Sequence, residues 1–269
     1  MTGIALKTGV GRGLSGISMP SSTGARLTKL RPRGTRGKLE NSLVDALGRH
    51  IVSGEWPPGK LIPPEPQLLA DLGISRPTLR ESLRVLASKG LIESRQKFGT
   101  FVLPMNTWNF LDPDLLSWLG STRLTSQMVH EIIAFRRLIE PAVAAMAALG
   151  ADPDGVRAIA YTLSDMKDKR DDHNAYLLAD QAFHQAIFDA TGNRFVSCLG
   201  AVVSTVLNLS FSIQQKSLLK PEQALALHSA VSQAIDAKDA HRAEKAMLNL
   251  LEQAEDELNQ VFKKNPLKE

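Results

Sequence analysis

At 269 residues the chain is long enough for two compact domains, and 43% apolar with 22% charged residues is the make-up of a globular protein, not a disordered or collagen-like one. A single cysteine, Cys198, excludes an internal disulfide framework and fits a reducing, cytoplasmic setting. The net charge of +4 divides unevenly, with +8 over residues 1–38, +1 over 39–103 and −5 over 104–269; a basic front on an acidic body suits a leading part that meets a polyanion.

Residues 1–37 are rich in Gly, Ser, Thr and basic side chains and show no sustained apolar period, so they read as a disordered basic arm. Their scattered glycines argue against an amphipathic targeting helix. From Leu39 the period becomes helical: Leu39, Leu43, Leu47 and Ile51 recur at four-residue spacing and Gly54 closes the run. A Pro-rich connection (Pro57-Pro58-Gly59, then Pro63-Pro64) leads to a short helix over Glu65–Asp71, and Gly73 supplies the turn. Ser75 can cap a second helix over Arg76–Lys89, whose buried stripe is Leu79, Leu83 and Leu86. A hairpin follows, Leu91–Arg95 and Gly99–Val102, turning through Gln96, Lys97 and Phe98.

Residues 104–112 read as a linker anchored by Trp108 and Phe110, and everything beyond is helical in pattern. Helices are expected near 113–120, 125–150, 153–170, 174–191, 194–218, 221–237 and 240–262. The uncharged stretch Phe195–Gln215 is long enough to cross a bilayer, but Ser197, Ser204, Thr205, Asn208, Ser210, Ser212, Gln214 and Gln215 would each lack a partner in hydrocarbon, so it reads as a buried bundle helix. The fold class is therefore mainly α: a winged helix-turn-helix over 38–103, with a small β-hairpin as the wing, and an all-α bundle over 113–264.

The helix from Arg76 turns Arg80 and Arg84 away from its leucine stripe, one turn apart, with Arg76 and Thr78 in the first turn. Guanidinium groups on an exposed helix face can take two acceptors of guanine at once, which is the chemistry of a recognition helix in the major groove. Lys97 and the permissive Gly99 at the hairpin tip can reach phosphate. A solvated basic face would look the same on the helix alone; the ordered series of helix, short helix, glycine turn, capped basic helix and hairpin is what favours DNA reading. One such helix reads few base pairs, so a homodimer on a palindromic double-stranded operator is expected.

Residues 39–103, with PPGKLIPPEPQLLADLGISRPTLRESLRVLASKGLIESRQKFGTFV at 57–102, resemble the winged helix of GntR-type transcription regulators. The resemblance implies base and phosphate contacts at Ser75, Arg76, Thr78, Arg80, Gln96 and Lys97. Pro66 stands where some relatives carry a DNA-contacting arginine, which leaves the operator preference open.

In the helix from Thr125, the side chains of Val129, Ile132, Ile133, Arg136, Glu140, Val143 and Ala147 share one face. Arg136 thus sits in an apolar stripe and needs an anion, for which an internal pair with Glu140 and a bound ligand are both open. In the next helix but one, Asp180 and His184 are four apart on a face shared with Leu177, Ile187 and Phe188, and His228 is a candidate third member. A carboxylate and two imidazoles suit a divalent cation, zinc foremost, although an Asp-x-x-x-His pair alone is as readily a helix-surface hydrogen bond.

Residues 108–262, with AFRRLIEPAVAAMAA, DQAFHQAIFDATGN and LHSAVSQAIDAKDAHRAEKAM, resemble the ligand-binding domain of the FadR subgroup, and NTWNFLDPDLLSWL at 106–119 together with AFRRLIEPA most resembles repressors of galactonate and related sugar-acid operons. The resemblance implies that Arg136 binds an effector carboxylate beside a divalent metal held by Asp180, His184 and His228, with Leu250 standing at the fourth ligand position. Ser204 and Asn208, one turn apart, are candidates for the effector's hydroxyls. Two other readings remain: a metal-dependent enzyme built on the same cluster, though no acid–base pair or nucleophile motif accompanies it, and an architectural DNA binder that needs no effector.

Overall fold

The computed structural model describes residues 36–122, 125–214 and 221–264, so the expected basic arm lies outside the described residues. Ten helices and one two-stranded sheet are described. The front of the chain comprises α1 (Arg36–Val52), α2 (Glu65–Leu72), α3 (Arg76–Ser88), β1 (Ile92–Arg95) and β2 (Gly99–Val102). A 3-10 turn (Met105–Thr107) then leads to α4 (Pro113–Thr122). Six further helices follow: α5 (Ser126–Gly150), α6 (Pro153–Asp168), α7 (His173–Ala190), α8 (Arg194–Gln214), α9 (Pro221–Asp236) and α10 (Ala240–Lys264). Every element expected from the sequence is present, with ends displaced by a few residues.

The front forms a winged helix for the reasons its spacing suggested. Leu43, Leu47 and Ile51 of α1, Leu68 and Leu72 of α2, and Leu79 and Leu86 of α3 are buried together. Gly73 closes α2 in the left-handed conformation, its N–H donating to the Leu69 carbonyl, and Ser75 caps α3 by accepting from the Thr78 N–H. The wing pairs Ile92 with Val102 and Arg95 with Gly99 in antiparallel register. Segment 59–62 pairs with its outer edge, Ile62 N–H donating to Thr100 and Val102 N–H to Lys60 (both 2.9 Å), so the edge of β2 is covered.

Behind it, α5 lies against α10 and contacts α7 and α9 in a bundle whose core includes Ala144, Ala147, Phe183, Ile187, Val203 and Leu251. Among the described side chains of α8, Val202, Val203, Val206 and Leu207 face inward, as expected of a bundle helix. No described helix is long and apolar enough to cross a membrane.

Helix α4 does not sort cleanly with the rear bundle to which its sequence position assigned it. It packs on both α1 and α8, and Leu115, Trp118 and Leu119 belong to the same buried cluster as Leu43, Leu79, Val202 and Val206. The Trp118 indole lies over Gly48 of α1, where an added Cβ would come about 2.5 Å from the ring, and its Nε1 donates to Asp45 Oδ1 at 3.1 Å. The linker is anchored by buried Trp108, whose Nε1 donates to the Leu103 carbonyl at 3.0 Å, while Phe110 stacks on it and remains partly exposed.

Candidate functional site

On the reading face, α3 and the wing flank a groove of about 600 Å³ lined on one side by Arg80 and Arg84 and on the other by Arg95, Gln96, Lys97 and Phe98. The arginines are extended into solvent: Arg76, Arg80 and Arg84 have side chains 61, 65 and 80% exposed. Each has an acidic neighbour, Glu65 for Arg76 (3.5 Å) and Arg80 (3.2 Å), and Glu81 for Arg84 (3.1 Å). Such exposed pairs contribute little to stability and can be exchanged for phosphate or base contacts at small cost. Ser75 and Thr78 are engaged with each other, Oγ to Oγ1 at 2.8 Å, and Thr78 is buried, so in this geometry they fix the start of α3. Lys97 (φ 69°) and Gly99 (φ 98°) make the tight wing turn that projects Phe98, 72% exposed, beyond the hairpin.

The second site is a buried polar chain within the rear bundle. Arg136 is 3% exposed and Glu140 fully buried, and Arg136 Nε donates to Glu140 Oε1 at 2.6 Å. The other carboxylate oxygen, Oε2, lies 2.5 Å from His184 Nδ1. His184 Nε2 faces Asp180 Oδ1 at 3.9 Å, and the same oxygen is 2.8 Å from His228 Nε2. His228 Nδ1 is 2.7 Å from the Ala224 carbonyl, one turn back on α9. The ring of Phe183 meets that of His228 edge-on at 5.2 Å and supplies an apolar wall. Burial opposes ionisation of Glu140, but the Arg136 guanidinium and His184 outweigh it and hold the carboxyl down to about 2. Burial likewise works against the Asp180 carboxylate, and His228, His184 and Arg136 nonetheless keep its pKa below the ordinary value. Tyr176, one turn before Asp180, has a buried hydroxyl with no hydrogen-bond partner among the described residues; burial, with Asp180 and Glu257, pushes its pKa up.

The chemistry of this donor set fits a cation. The carbonyl of Ala224 can only accept, so it places a proton on His228 Nδ1 and leaves the lone pair of the neutral ring on Nε2, aimed at a carboxylate oxygen. Two lone pairs at that distance repel unless a cation, either a second ring proton or a metal ion, lies between them. Asp180, His184 and His228 each offer a ligand atom, all within 4.8 Å of one another. The His228 Nε2 contact with Asp180 is also off the direction of a good hydrogen bond, as expected of ligands aimed at a shared third point.

The GntR family profile of bacterial regulatory proteins matches residues 39–102, and the FCD domain profile matches residues 131–253. The galactonate operon transcriptional repressor of Escherichia coli (strain K12) is 30% identical over 223 residues, covering 81% of this chain and 96% of that one. This chain is a member of the GntR family. The HTH-type transcriptional regulator LutR of Bacillus subtilis (strain 168) is 28% identical over 220 residues, 80% of this chain and 99% of its own. The solved structure of Lar, a Listeria monocytogenes protein, has a TM-score of 0.61 at 14% identity over 86% of this chain and 99% of that one, a likeness of fold.

In this GntR regulator the winged helix and the FCD domain coincide with the two sites, and the relatives are transcription regulators, not enzymes. Asp180, His184 and His228 are brought together from α7 and α9 as expected, and Arg136 is joined to them through Glu140. The sequence had left Glu140 as a partner for Arg136 alone; its contact with His184 was not legible, because the pairing of α5 with α7 is a tertiary fact. Ser204 is half-buried on α8 with no described contact to Arg136, and the Asn208 side chain lies outside the described residues. Leu250 is buried in the bundle core, as its helix face required. His50 is half-buried, stacked on Trp56 and 2.5 Å from Glu55. Arg95 and Phe98, which the sequence placed in the hairpin without a contact role, also line the groove; alternation along β1 and the exposed aromatic in a turn were the available signals.

Proposed function

We propose that this GntR regulator is an effector-controlled repressor of a sugar-acid catabolic operon, acting in the cytoplasm as a homodimer on palindromic operator DNA and responding to a small carboxylate such as galactonate or a related aldonate. The observation that carries the reading is the state of Arg136: buried, its Nε committed to Glu140, while no described contact engages Nη1 or Nη2. Two parallel N–H donors on a largely buried side chain are matched to one carboxylate. The galactonate repressor of E. coli supports the ligand class, and Ser204 and Asn208 are the side chains assigned to the hydroxyls.

Charge supports a cation beside the anchor. With both imidazoles neutral, as metal ligands must be, Arg136 against the ionised Glu140 and Asp180 leaves one negative charge in the buried set, which disfavours an anionic ligand. A divalent ion at Asp180, His184 and His228 turns the balance to one positive, which a monocarboxylate neutralises. Bound there, such an ion, zinc foremost, would offer a Lewis-acidic position to an effector oxygen. The residues of this chain supply the anchor and the ligands, and Phe183 packs edge-on against His228.

The test is operator binding by full-length protein, followed by anisotropy on a fragment from upstream of its own gene, with an aldonate series as titrant. An effective acid at 100 times its Kd also stabilises the protein by about 2.7 kcal/mol in a thermal melt. Arg136→Lys keeps the charge but loses the fork, so it should bind operator normally and need at least about tenfold more acid, a loss of roughly 1.4 kcal/mol. An unaltered response in that variant, or operator affinity insensitive to every acid tried, removes the assignment.

A further inference from the structure

Glu140 is the one member of the buried chain that the reading above uses only as a counter-charge, yet its two oxygens face two different functional groups. Oε1 holds Arg136 Nε at 2.6 Å and Oε2 lies 2.5 Å from His184 Nδ1, from a side chain with no exposure to solvent. An ionised carboxylate can only accept, and Glu140 Oε2 is far nearer to Nδ1 (2.5 Å) than Asp180 Oδ1 is to Nε2 (3.9 Å), so whenever the His184 ring is neutral its proton belongs on Nδ1, towards Glu140. Its lone pair is then on Nε2, the nitrogen that faces Asp180. The Ala224 carbonyl imposes the same tautomer on His228. Two imidazoles on different helices thus present Nε2 lone pairs to one carboxylate oxygen, one set by a backbone carbonyl and the other by Glu140.

We propose that Glu140 is a positioning residue that fixes the tautomer of His184 for cation binding, and that the same carboxylate thereby joins the effector anchor to the metal ligand. This rests on the reading of Asp180, His184 and His228 as a cation site. The contact with His184 is short but off the ring N–H axis, so a small rotation of the ring on binding is expected to improve it. Arg136, one turn before Glu140 on α5, is pulled by the other oxygen of the same group. Any shift of Glu140 towards His184 therefore alters the orientation of the guanidinium, and the cation and the acid sense each other through one side chain.

Glu140→Gln separates this role from simple packing. Glutamine has the same shape, and its amide oxygen can still accept from Arg136 Nε, which turns the NH₂ towards His184 Nδ1. That nitrogen must then be the acceptor, the ring proton moves to Nε2, and the lone pair is lost to a cation. The readout is long-range ¹H–¹⁵N correlation on metal-free, histidine-labelled protein at about pH 8.5, where an ordinary imidazole is neutral. Wild type should show the proton on Nδ1 of both His184 and His228, and the variant should invert His184 alone. Titration with Co²⁺ should show affinity lowered about 10- to 100-fold in Glu140→Gln, with partial recovery in Glu140→Asp. A wild-type His184 protonated on Nε2 overturns the proposal, and so does a variant with unchanged tautomer and unchanged Co²⁺ affinity. Should Glu140→Gln fail to fold, the wild-type spectrum alone decides. An inverted tautomer with no Co²⁺ bound by either protein would keep the role of Glu140 in setting the ring and remove the cation reading on which its purpose rests.

Discussion

Arg136 and Glu140 form the most deeply buried arginine– or lysine–carboxylate pair described, 4 and 0% exposed at the side chains. Taking two charges out of water costs several kcal/mol each, so such a pair is weak grounds for stability and good grounds for function. Removing one partner strands the other. Arg136→Met should destabilise by roughly 3–5 kcal/mol through the unpaired Glu140 carboxylate, whereas the double variant Arg136→Met/Glu140→Met should recover much of that loss. Denaturant midpoints of the singles and the double settle the point; a single as stable as wild type would mean that Glu140 is neutralised by His184 without help. At this scale much was legible in the sequence. An arginine at a position of the apolar stripe marks a charge that must be paired, and the i, i+4 spacing of Asp180 and His184 marks a shared helix face. What could not be read was which helices meet. The distance from Glu140 to His184 depends on how α5 packs against α7, and local periodicity carries no information on that.

Helix α3 shows how one element divides its work between faces. Leu79, Ser82 and Leu86 are buried, while Arg80 and Arg84 are free to move over the groove towards the wing. Because the exposed pairs with Glu65 and Glu81 hold these arginines only weakly, Arg80→Ala should leave thermal stability nearly unchanged. It should cost roughly 1–3 kcal/mol of affinity on the specific operator and much less on unrelated DNA. Equal losses on both kinds of DNA would reassign Arg80 to phosphate contact, and no loss would move the reading face elsewhere. The boundaries of α3 were readable because local chemistry sets them: Ser75 caps the start and Gly90, at φ 77°, ends it. The double allegiance of α4 was not readable, since its pattern PDLLSWLGST shows apolar positions without saying which core each will enter.

At the scale of the molecule the two sites are linked through a short series of packed parts. Phe135, next to Arg136 on α5, packs against both core clusters. An apolar cavity of about 190 Å³, lined by Leu116, Leu119, Met128, Ile132, Phe135 and Val206, lies among α4, α5 and α8 and leaves room for side chains to shift. From α4 the connection reaches the reading helix directly. Lys89, just after α3, donates to Asp112 Oδ2 (2.7 Å) and Asp114 Oδ2 (2.8 Å) and lies 5.7 Å from the centre of the Trp118 ring. Burial works against its charge, but Asp112 and Asp114 prevail and raise its pKa above 10.5. A raised lysine pKa means that this contribution to stability is complete below the ordinary value and is lost as pH climbs through the folded-state one. Lys89→Met should therefore be less stable than wild type at neutral pH, with the gap in denaturant midpoint closing in strongly alkaline buffer. In the same variant the acid should bind as before while its effect on operator affinity shrinks. A full effector response would show that the signal takes another route.

The packing of Trp118 over Gly48 bears on how this protein can be divided. A chimaera that exchanged the sensing domain at the linker after the wing would be joined behind Leu103. Such a join would leave Gly48 facing water or a foreign side chain and would strip α1 of the helix that covers it. A join beyond Thr122, where α4 ends, keeps the packing of α4 on α1. A reading head moved to another scaffold should carry α4 with it, and present it to a partner whose surface can replace Val202 and Val206.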